Sequence, residues 1–404
     1  MPDKPGLTPL GKIVVFLIIV GCIGAAAYRF WGGSIKLPWF KGAAGSGSAA
    51  DKVSSLFSGP VEAEIGVAYG TEKQRWIEWA VTQFAKSPEG KRIKVNLIPM
   101  GSIEGAHAIL AGDQRINAWS PASTTNKDVF VEEWKAKYGD NPIVKEENIA
   151  LSPMVFVIWE ERYQAFVQHY KTLSFATVAQ ALQEKGGWDT IARKPEWGLF
   201  KYGHTHPNQS NSGLQALTLA AYSYFHKTRD LTVGDIVNVE FQKWLQGMEH
   251  AVSGLSNSTG NMMKEMVLKG PSSYDVLLAY EAVAIDYLRN AEGRWGQIRL
   301  VYPEYNSWND NPYYVLNAPW SKPEQRKAAE AFLTFLMSEP VQKEALVHGY
   351  RPGNPSVPVK TAESPLVQYA SYGVQIDLQK ICDPPKAEVV NNLLASWERS
   401  QGAR

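Results

Sequence analysis

Residues 204–222 read HTHPNQSNSGLQALTLAAY, a polar turn that runs without a break into an apolar segment. Ser210 or Ser212 can cap a helix here, because small hydroxyl side chains accept hydrogen bonds from first-turn backbone amides. The apolar side chains begin at once and are Leu214, Leu217, Leu219 and Ala221. The stretch therefore predicts a helix N-terminus that presents amides and hydroxyls to an anion or another polar ligand.

The order of strand, polar turn and helix also occurs three times earlier in the chain. Residues 63–70 alternate as a strand, and Thr71 caps a helix with one apolar stripe. Residues 92–99 form the next strand, and Ser102 opens the helix that follows it. Residues 118–126 end a third strand in a hydroxyl-rich turn. This alternation predicts a parallel α/β sheet with ligands at the carboxyl ends of its strands.

Polar groups recur at two later points. Residues 256–261 contain Ser258 and Thr259 and cap another helix, and residues 274–281 form a strand that ends in Tyr280 and Glu281. The apolar run 153–159 has the length of a buried strand or of a crossing between two lobes. A chain of 404 residues can bury two moderate cores, so we predict two lobes.

Composition excludes one class of partner. The chain has 41 basic and 40 acidic residues, a net charge of +1, and therefore no overall field that would attract nucleic acid. Its two cysteines are Cys22 and Cys382, and a structural disulfide between them is not expected, because Cys22 lies within an apolar N-terminal run.

The N-terminus predicts export. Residues 13–28 are apolar after two lysines, and Arg29-Phe30-Trp31 follows as an interfacial cluster. Three interpretations stay open: an uncleaved signal anchor over residues 1–31, cleavage near residues 25–27, and lipidation at Cys22. An anchor would make the protein a single-pass membrane protein with an extracytoplasmic globular part. Residues 32–60 are rich in glycine, alanine and serine and predict a flexible linker.

Four segments in this order resemble the bacterial extracellular solute-binding proteins, more narrowly the type II periplasmic-binding fold of molybdate, sulfate and ferric-ion binding proteins. The segments are Ser210-Asn211-Ser212-Gly213, Tyr280-Glu281, residues 326–336 and Gly349-Tyr350-Arg351-Pro352. The resemblance covers roughly residues 61–360. It implies two α/β lobes with a central cleft, which we place at 61–155 plus 300–404 and at 156–299.

The resemblance also implies the contact residues for a solute. The first binding loop falls on Thr71, Glu72 and Lys73, the second on Ser102 and the third on Ser123. The second lobe would supply Ser210, Asn211, Ser212, Gly213 and Tyr280. From the residues themselves we add Ser258, Thr259 and Glu281. The predicted ligand is a small polar solute, an oxyanion first, although Glu72, Lys73 and Glu281 leave a metal ion or a polar organic molecule open.

The function implied is solute capture without catalysis or cofactor, for a membrane permease of the ABC type. Glu281 could neutralise a cationic group of the solute, pair with Lys73 or remain solvated. One alternative is a metal-dependent hydrolase that uses His204, His206 and Glu281, since His204 and His206 have the spacing of a metal pair on a strand. Another is a sensor or interaction protein, tethered beside another membrane protein.

Overall fold

The first of two β-sheets is mixed and has five strands in the order β2-β1-β3-β11-β4. A computed structural model describes residues 61–291 and 295–402. The predicted anchor and linker, residues 1–60, lie outside this range. The strands of the first sheet are β1 Ala63–Tyr69, β2 Ile93–Pro99, β3 Ala118–Ser120, β4 Ile143–Asn148 and β11 Pro312–Leu316.

The prediction of a parallel sheet is right for only part of this sheet. Strands β1, β2 and β3 are parallel, but β11 is antiparallel to both β3 and β4. The difference arises because β11 comes from a distant part of the chain. It enters the sheet beside β3 in the opposite direction, and β4 then pairs with it.

Helices cover both faces of the first sheet. On one face, α1 and α12 bury Trp76, Phe84 and Phe332. On the other face, α2 and α3 bury Ile109 and Trp134. The apolar stripe predicted for α1 is thus one of the surfaces that cover the sheet. The helices that belong to this body are α1 Gln74–Phe84, α2 Ser102–Ala111, α3 Lys127–Tyr138, α12 Pro323–Leu336 and α13 Glu339–Val347.

The second sheet is built around the long strand β5, Ala150–Trp159. Its first half pairs with β12 and β10, and its second half pairs antiparallel with β7 and β8. Pairing changes along β5, as expected for a strand that crosses from one body to another. The strands are β6 Tyr202–Gly203, β7 Val276–Tyr280, β8 Ile298–Val301, β10 Trp308–Asn309 and β12 Arg351–Pro352; β9 Tyr305–Asn306 pairs separately with β13 Lys380–Ile381.

A separate apolar core surrounds the second sheet and includes Phe156, Tyr202, Leu217 and Met263. We call the body on the first sheet the first lobe and the body on the second sheet the second lobe. The remaining helices are α4 Glu160–Tyr170, α5 Phe175–Gln183, α6 Trp188–Ala192, α7 Asn211–Phe225, α8 Val233–Ile236, α9 Val239–His250, α10 Thr259–Lys269, α11 Glu281–Ala291, α14 Pro365–Gln368 and α15 Ala387–Gly402. Helix α15 contacts α7, α8 and α9.

Within residues 61–291 and 295–402, no helix combines the length and the apolar character that a membrane span requires.

Candidate functional site

A cavity of about 900 Å³ lies between the two lobes and is partly open to solvent. The first lobe contributes the turn after β1, the start of α1 and the turn before α2. The second lobe contributes the start of α10 and the first turns of α11. The cavity is lined by Thr71, Glu72, Lys73, Arg75, Met100, Gly101, Glu104, Ser258, Asn261, Lys264, Asp286, Tyr287, His348 and Tyr350, among others.

The turn after β1 forms part of the cavity wall. Strand β1 ends at Tyr69, and Thr71–Lys73 form a single 3₁₀ turn before α1. The Thr71 hydroxyl lies 3.2 Å from the Ser258 hydroxyl, so the predicted first binding loop meets the N-terminus of α10 directly. This contact joins the two lobes.

Lys73 is fully buried and all three of its N–H groups are used. Its Nζ donates to Glu72 Oε1 at 2.5 Å and to the carbonyls of Ser120 at 3.0 Å and Pro121 at 3.3 Å. Burial lowers the pKa of the ammonium, and the Glu72 carboxylate opposes that shift. Lys73 thereby fixes the end of β3 to the turn after β1, and it has no donor left for a ligand.

Asn211, the first residue of α7, is the centre of a buried hydrogen-bond network. Its Oδ1 accepts from the Ser123 hydroxyl at 2.8 Å, and its Nδ2 donates to the Tyr280 hydroxyl at 3.1 Å and to Asn309 Oδ1 at 2.9 Å. Ser123 lies in the first lobe and Tyr280 in the second. Three predicted contact residues therefore bind one another across the lobes.

The predicted cap of α7 differs in detail from the structure. Ser210 is the N-cap residue, as expected, but its side chain makes no capping hydrogen bond and lies 3.3 Å from the Ser212 hydroxyl. The backbone of Ser212 and the side chain of Asn211 are both hydrogen-bonded to the Tyr280 hydroxyl. The helix N-terminus that was predicted to face an anion thus faces a phenol of the same chain.

A chain of hydroxyls continues behind this network. The Ser212 hydroxyl lies 2.6 Å from Thr205 Oγ1 and 2.6 Å from Thr259 Oγ1. Gly213 follows, and a Cβ added there would lie 2.2 Å from the Thr205 carbonyl oxygen. A side chain at residue 213 would therefore push α7 away from the 205–207 turn.

Ser102 and Gly101 lie where the first lobe meets that turn. The Ser102 hydroxyl accepts from the Ala122 backbone amide at 2.9 Å, so it joins the second and third predicted loops. A Cβ at residue 101 would lie 2.3 Å from the Gln209 carbonyl oxygen of the second lobe. This close approach requires glycine and shows that the lobes are in contact at this point.

Glu281 is not paired with Lys73 and is not solvated. It is fully buried, and the Arg351 guanidinium binds it with two hydrogen bonds, Nε to Oε2 at 3.0 Å and Nη2 to Oε1 at 2.8 Å. The Tyr302 hydroxyl donates to the same carboxylate. This partner was not predicted, because Arg351 is 70 residues away in the sequence. Arg351 neutralises the Glu281 charge, which one of the three interpretations had assigned to a cationic group of the solute.

The geometry does not support a metal site at His204, His206 and Glu281. His204 Nε2 lies 3.1 Å from Glu249 Oε1, and His206 packs edge-on against Trp397 with ring centroids 4.8 Å apart. Glu281 is bound to Arg351. Across the part of the chain that the structure describes, no three His, Cys, Asp or Glu side chains are grouped for metal binding.

Several residues of the cavity wall were not predicted from the sequence as contact residues. Arg75 of α1 binds Asp286 of α11 at 2.8 Å and lies 5.7 Å from the centre of the Tyr287 ring. Tyr350, which belongs to a segment quoted only for its resemblance, lies in the cavity wall. Arg75, Asp286 and Tyr287 lie on helix surfaces, where a single sequence does not distinguish a cavity-facing side chain from a solvated one.

The model of the bacterial extracellular solute-binding protein family matches residues 65–351, more than half of the chain. The chain belongs to this family. The resemblance stated from the sequence is confirmed, and the protein is a solute-binding protein of extracellular type with two α/β lobes and a cleft between them. No curated protein matches the chain significantly.

Solved structures share this fold at low sequence identity. The sulfate-binding protein of Mycobacterium tuberculosis H37Rv is 16% identical with a TM-score of 0.54, and the alignment covers 85% of this chain and 99% of that one. A periplasmic thiamin binding protein is 11% identical with a TM-score of 0.56, covering 83% and 96%. The ferric binding protein of Campylobacter jejuni is 12% identical with a TM-score of 0.54, covering 84% and 97%.

Proposed function

We propose that the protein captures a small polar solute in the cavity between its lobes and presents the closed form to an ABC-type membrane permease. One observation carries this proposal: both lobes line a cavity of about 900 Å³, and hydrogen bonds join the lobes beside it. These bonds link Thr71 to Ser258, Ser123 to Asn211, and Thr125 to Gln215. Neither lobe forms the cavity alone, so closure and solute binding are coupled. The proposal includes no catalytic step.

The predicted contact residues fall into two groups in this proposal. Thr71, Glu72, Lys73 and Ser258 line the cavity and are placed to contact the solute or to shape its site. Ser123, Asn211, Ser212, Thr259 and Tyr280 bind one another and hold the lobes together around it. We propose a purely structural role for Glu281, since its charge is paired with that of Arg351.

Membrane tethering through residues 1–31 and a flexible linker over residues 32–60 remain part of the proposal. They rest on the apolar run at 13–28 and on the composition of the linker.

For the two lobes, we propose boundaries near residues 155 and 300, as predicted from the sequence, but we assign the last helix to the second lobe instead of the first. Helix α15 contacts α7, α8 and α9 of the second lobe, so we assign residues 387–402 to that lobe.

Isothermal calorimetry on the exported part of the chain tests the proposal. The panel is sulfate, molybdate, ferric citrate, maltose and thiamine, chosen to span inorganic anions, a metal complex, a sugar and an organic cation. We expect at least one to bind in the micromolar range, which corresponds to about 8 kcal/mol. Ser258→Ala should weaken that binding, whereas Ser272→Ala, in the turn that follows the C-terminal end of α10, should not. No binding by any member would contradict the proposed function.

A further inference from the structure

The cavity wall contains a buried polar atom that no protein group binds. Tyr350 is 2% exposed and its hydroxyl has no hydrogen-bond partner. Burial raises the pKa of this phenol, and Glu72, Tyr280 and Asp286 raise it further, so the hydroxyl stays protonated. Tyr350 is one of the residues that line the cavity, as are Glu72 and Asp286. Buried polar groups normally have partners, so an entering solute is the natural partner here.

The cations of the cavity wall are already engaged. Lys73 uses its three N–H groups within the protein, and the Arg75 guanidinium binds Asp286 at 2.8 Å. Lys264, the third lysine or arginine among the described lining residues, is exposed. A buried anion needs a compensating donor or cation at its own position. Lys73 and Arg75 therefore have partners within the protein and are not free to bind an anion.

The carboxylates of the wall outnumber its cations. Glu72, Glu78, Glu104 and Asp286 line the cavity against Lys73, Arg75 and Lys264. The Glu72 side chain is only 7% exposed, and only its Oε1 is bound to Lys73. With four carboxylates against three lysines and arginines, the balance of charge in the cavity wall favours a positive group over an anion.

In one wall of the cavity, a carboxylate and an aromatic ring already contact a cationic side chain of the protein. The Arg75 guanidinium binds the Asp286 carboxylate at 2.8 Å, and its central carbon lies 5.7 Å from the centre of the Tyr287 ring. Aromatic faces and carboxylates together are the usual site for ammonium and guanidinium groups. The volume of about 900 Å³ is also in the range of roughly 300–1,000 Å³ that is typical of sites for organic ligands.

We propose that the solute is an organic molecule with a cationic nitrogen, which faces Glu72 while a polar group of the same molecule binds the Tyr350 hydroxyl. This inference rests on the proposed function, because it names the class of solute for the same cavity. It departs from the oxyanion that the hydroxyl-rich turns favoured.

Calorimetry with choline, spermidine and thiamine as cationic probes, and with sulfate, molybdate and maltose as comparison probes, tests the inference. We expect at least one cationic probe to bind and the other three to be rejected or to bind at least tenfold more weakly. Preferential binding of sulfate, molybdate or maltose would overturn the inference but support the proposed function. No binding by any of the six would count against both.

Two variants locate the cation within the cavity. Glu72→Gln should weaken binding of the cationic probe at least tenfold. Because this change also alters the environment of the buried Lys73, Tyr350→Phe provides a test that does not depend on it. It removes a hydroxyl with no protein partner, so the fold should persist while affinity falls about three- to tenfold.

The matched control is Tyr313→Phe. Tyr313 is also buried with an unpartnered hydroxyl, but it lies in β11 and is not among the residues that line the cavity. Removal of the Tyr313 hydroxyl should leave binding of the cationic probe unchanged. Equal effects of the two tyrosine variants, or no effect of Tyr350→Phe and Glu72→Gln, would overturn the inference.

Discussion

Asn211 binds side chains from three distant parts of the chain, Ser123, Tyr280 and Asn309. Asn211→Ala would leave Asn309 Oδ1 without its partner and would remove one hydrogen bond each from Ser123 and Tyr280, which keep bonds to Thr125 and Ser212. A buried group left unsatisfied costs about 1–3 kcal/mol, and a lost hydrogen bond costs about 0.5–1.5 kcal/mol. We therefore expect a loss of about 2–4 kcal/mol in the free energy of unfolding, allowing for relaxation. Urea denaturation measures it. The control Asn317→Ala removes one exposed hydrogen bond to Asp140 and should change stability by less than about 0.5 kcal/mol.

Protonation of the buried His204 is expected to make the stability of the fold depend on pH. Its Nδ1 lies 2.8 Å from the Thr205 carbonyl oxygen and its Nε2 3.1 Å from Glu249 Oε1, so both ring nitrogens face acceptors. Burial alone would lower the pKa of His204, but the Glu249 carboxylate and the Thr205 carbonyl favour the protonated ring and raise it. Tyr202 and His206 also lie nearby, and the charge of His204 lowers the pKa of His206.

The sign of the pH effect follows from the raised pKa. A group with a raised folded-state pKa stabilises the fold fully below its unfolded pKa, about 6.5 for histidine, and this stabilisation is lost as the pH rises through the folded-state value. The stability advantage of the wild type over Glu249→Gln should therefore shrink as the pH is raised from 6 to 9. Chemical denaturation at each pH measures this, and an advantage that grows with pH would contradict a raised pKa.

At the level of residues, the sequence predicted the turns that meet between the lobes better than the contacts that their side chains make. The turns at Thr71, Ser123, Ser210 and Ser258 were identified because hydroxyls and glycines after strands have a local signature. Their partners were not, since the Arg351–Glu281 and Lys73–Ser120 contacts depend on packing between distant segments. Tyr350 has no local signature at all, because burial of an unpartnered hydroxyl is a property of the folded chain.

At the level of elements, Arg351 joins three segments near the crossing between the lobes. Strand β12 pairs with the first half of β5, and Arg351 extends from it to Glu281 at the start of α11 and to the backbone carbonyl of Gln375 at 2.7 Å. Removing one partner of a buried ion pair costs about 3–5 kcal/mol, because the other charge is left buried. Arg351→Ala should therefore destabilise the protein by about that amount in urea denaturation.

The matched control for Arg351 is Arg299→Ala. Arg299 also binds a glutamate, Glu160 at 2.5 Å, but both side chains are about a quarter exposed. Loss of the Arg299 side chain should cost no more than about 1 kcal/mol, because exposed ion pairs contribute little.

In Glu281→Gln, the affinity of the folded protein for its solute should stay within about twofold of the wild type, since the proposed role of Glu281 is structural. A larger loss of affinity would indicate that Glu281 contacts the solute.

Most elements could be predicted, and their pairing could not. The strand–helix units after residues 63, 92 and 118 followed from hydrophobic periodicity, which is local. The antiparallel entry of β11 into the first sheet depends on which strand is nearest in space. The contact of the last helix with α7, α8 and α9 likewise depends on packing between distant segments.

For the whole molecule, the decisive feature is that polar and apolar contacts join the two lobes. Polar contacts join Thr71 to Ser258 and Ser123 to Asn211. An apolar cluster adds Ile103 of α2, Leu214 of α7 and Val390 of α15. Opening would expose this cluster to water and break the hydrogen bonds, so we expect the closed form to be populated before a solute arrives.

The double variant Thr71→Cys/Ser258→Cys tests this expectation directly. The two hydroxyl oxygens are 3.2 Å apart, so cysteines at these positions can approach disulfide geometry only when the lobes are closed. Mild oxidation without solute should produce an intramolecular crosslink, seen as a faster band on a non-reducing gel, and the reduced protein should regain solute exchange. Thr71→Cys/Ser272→Cys is the control, and should not crosslink. A Thr71–Ser258 pair that crosslinks only after solute is added would show instead that the solute, and not the contacts between the lobes, drives closure.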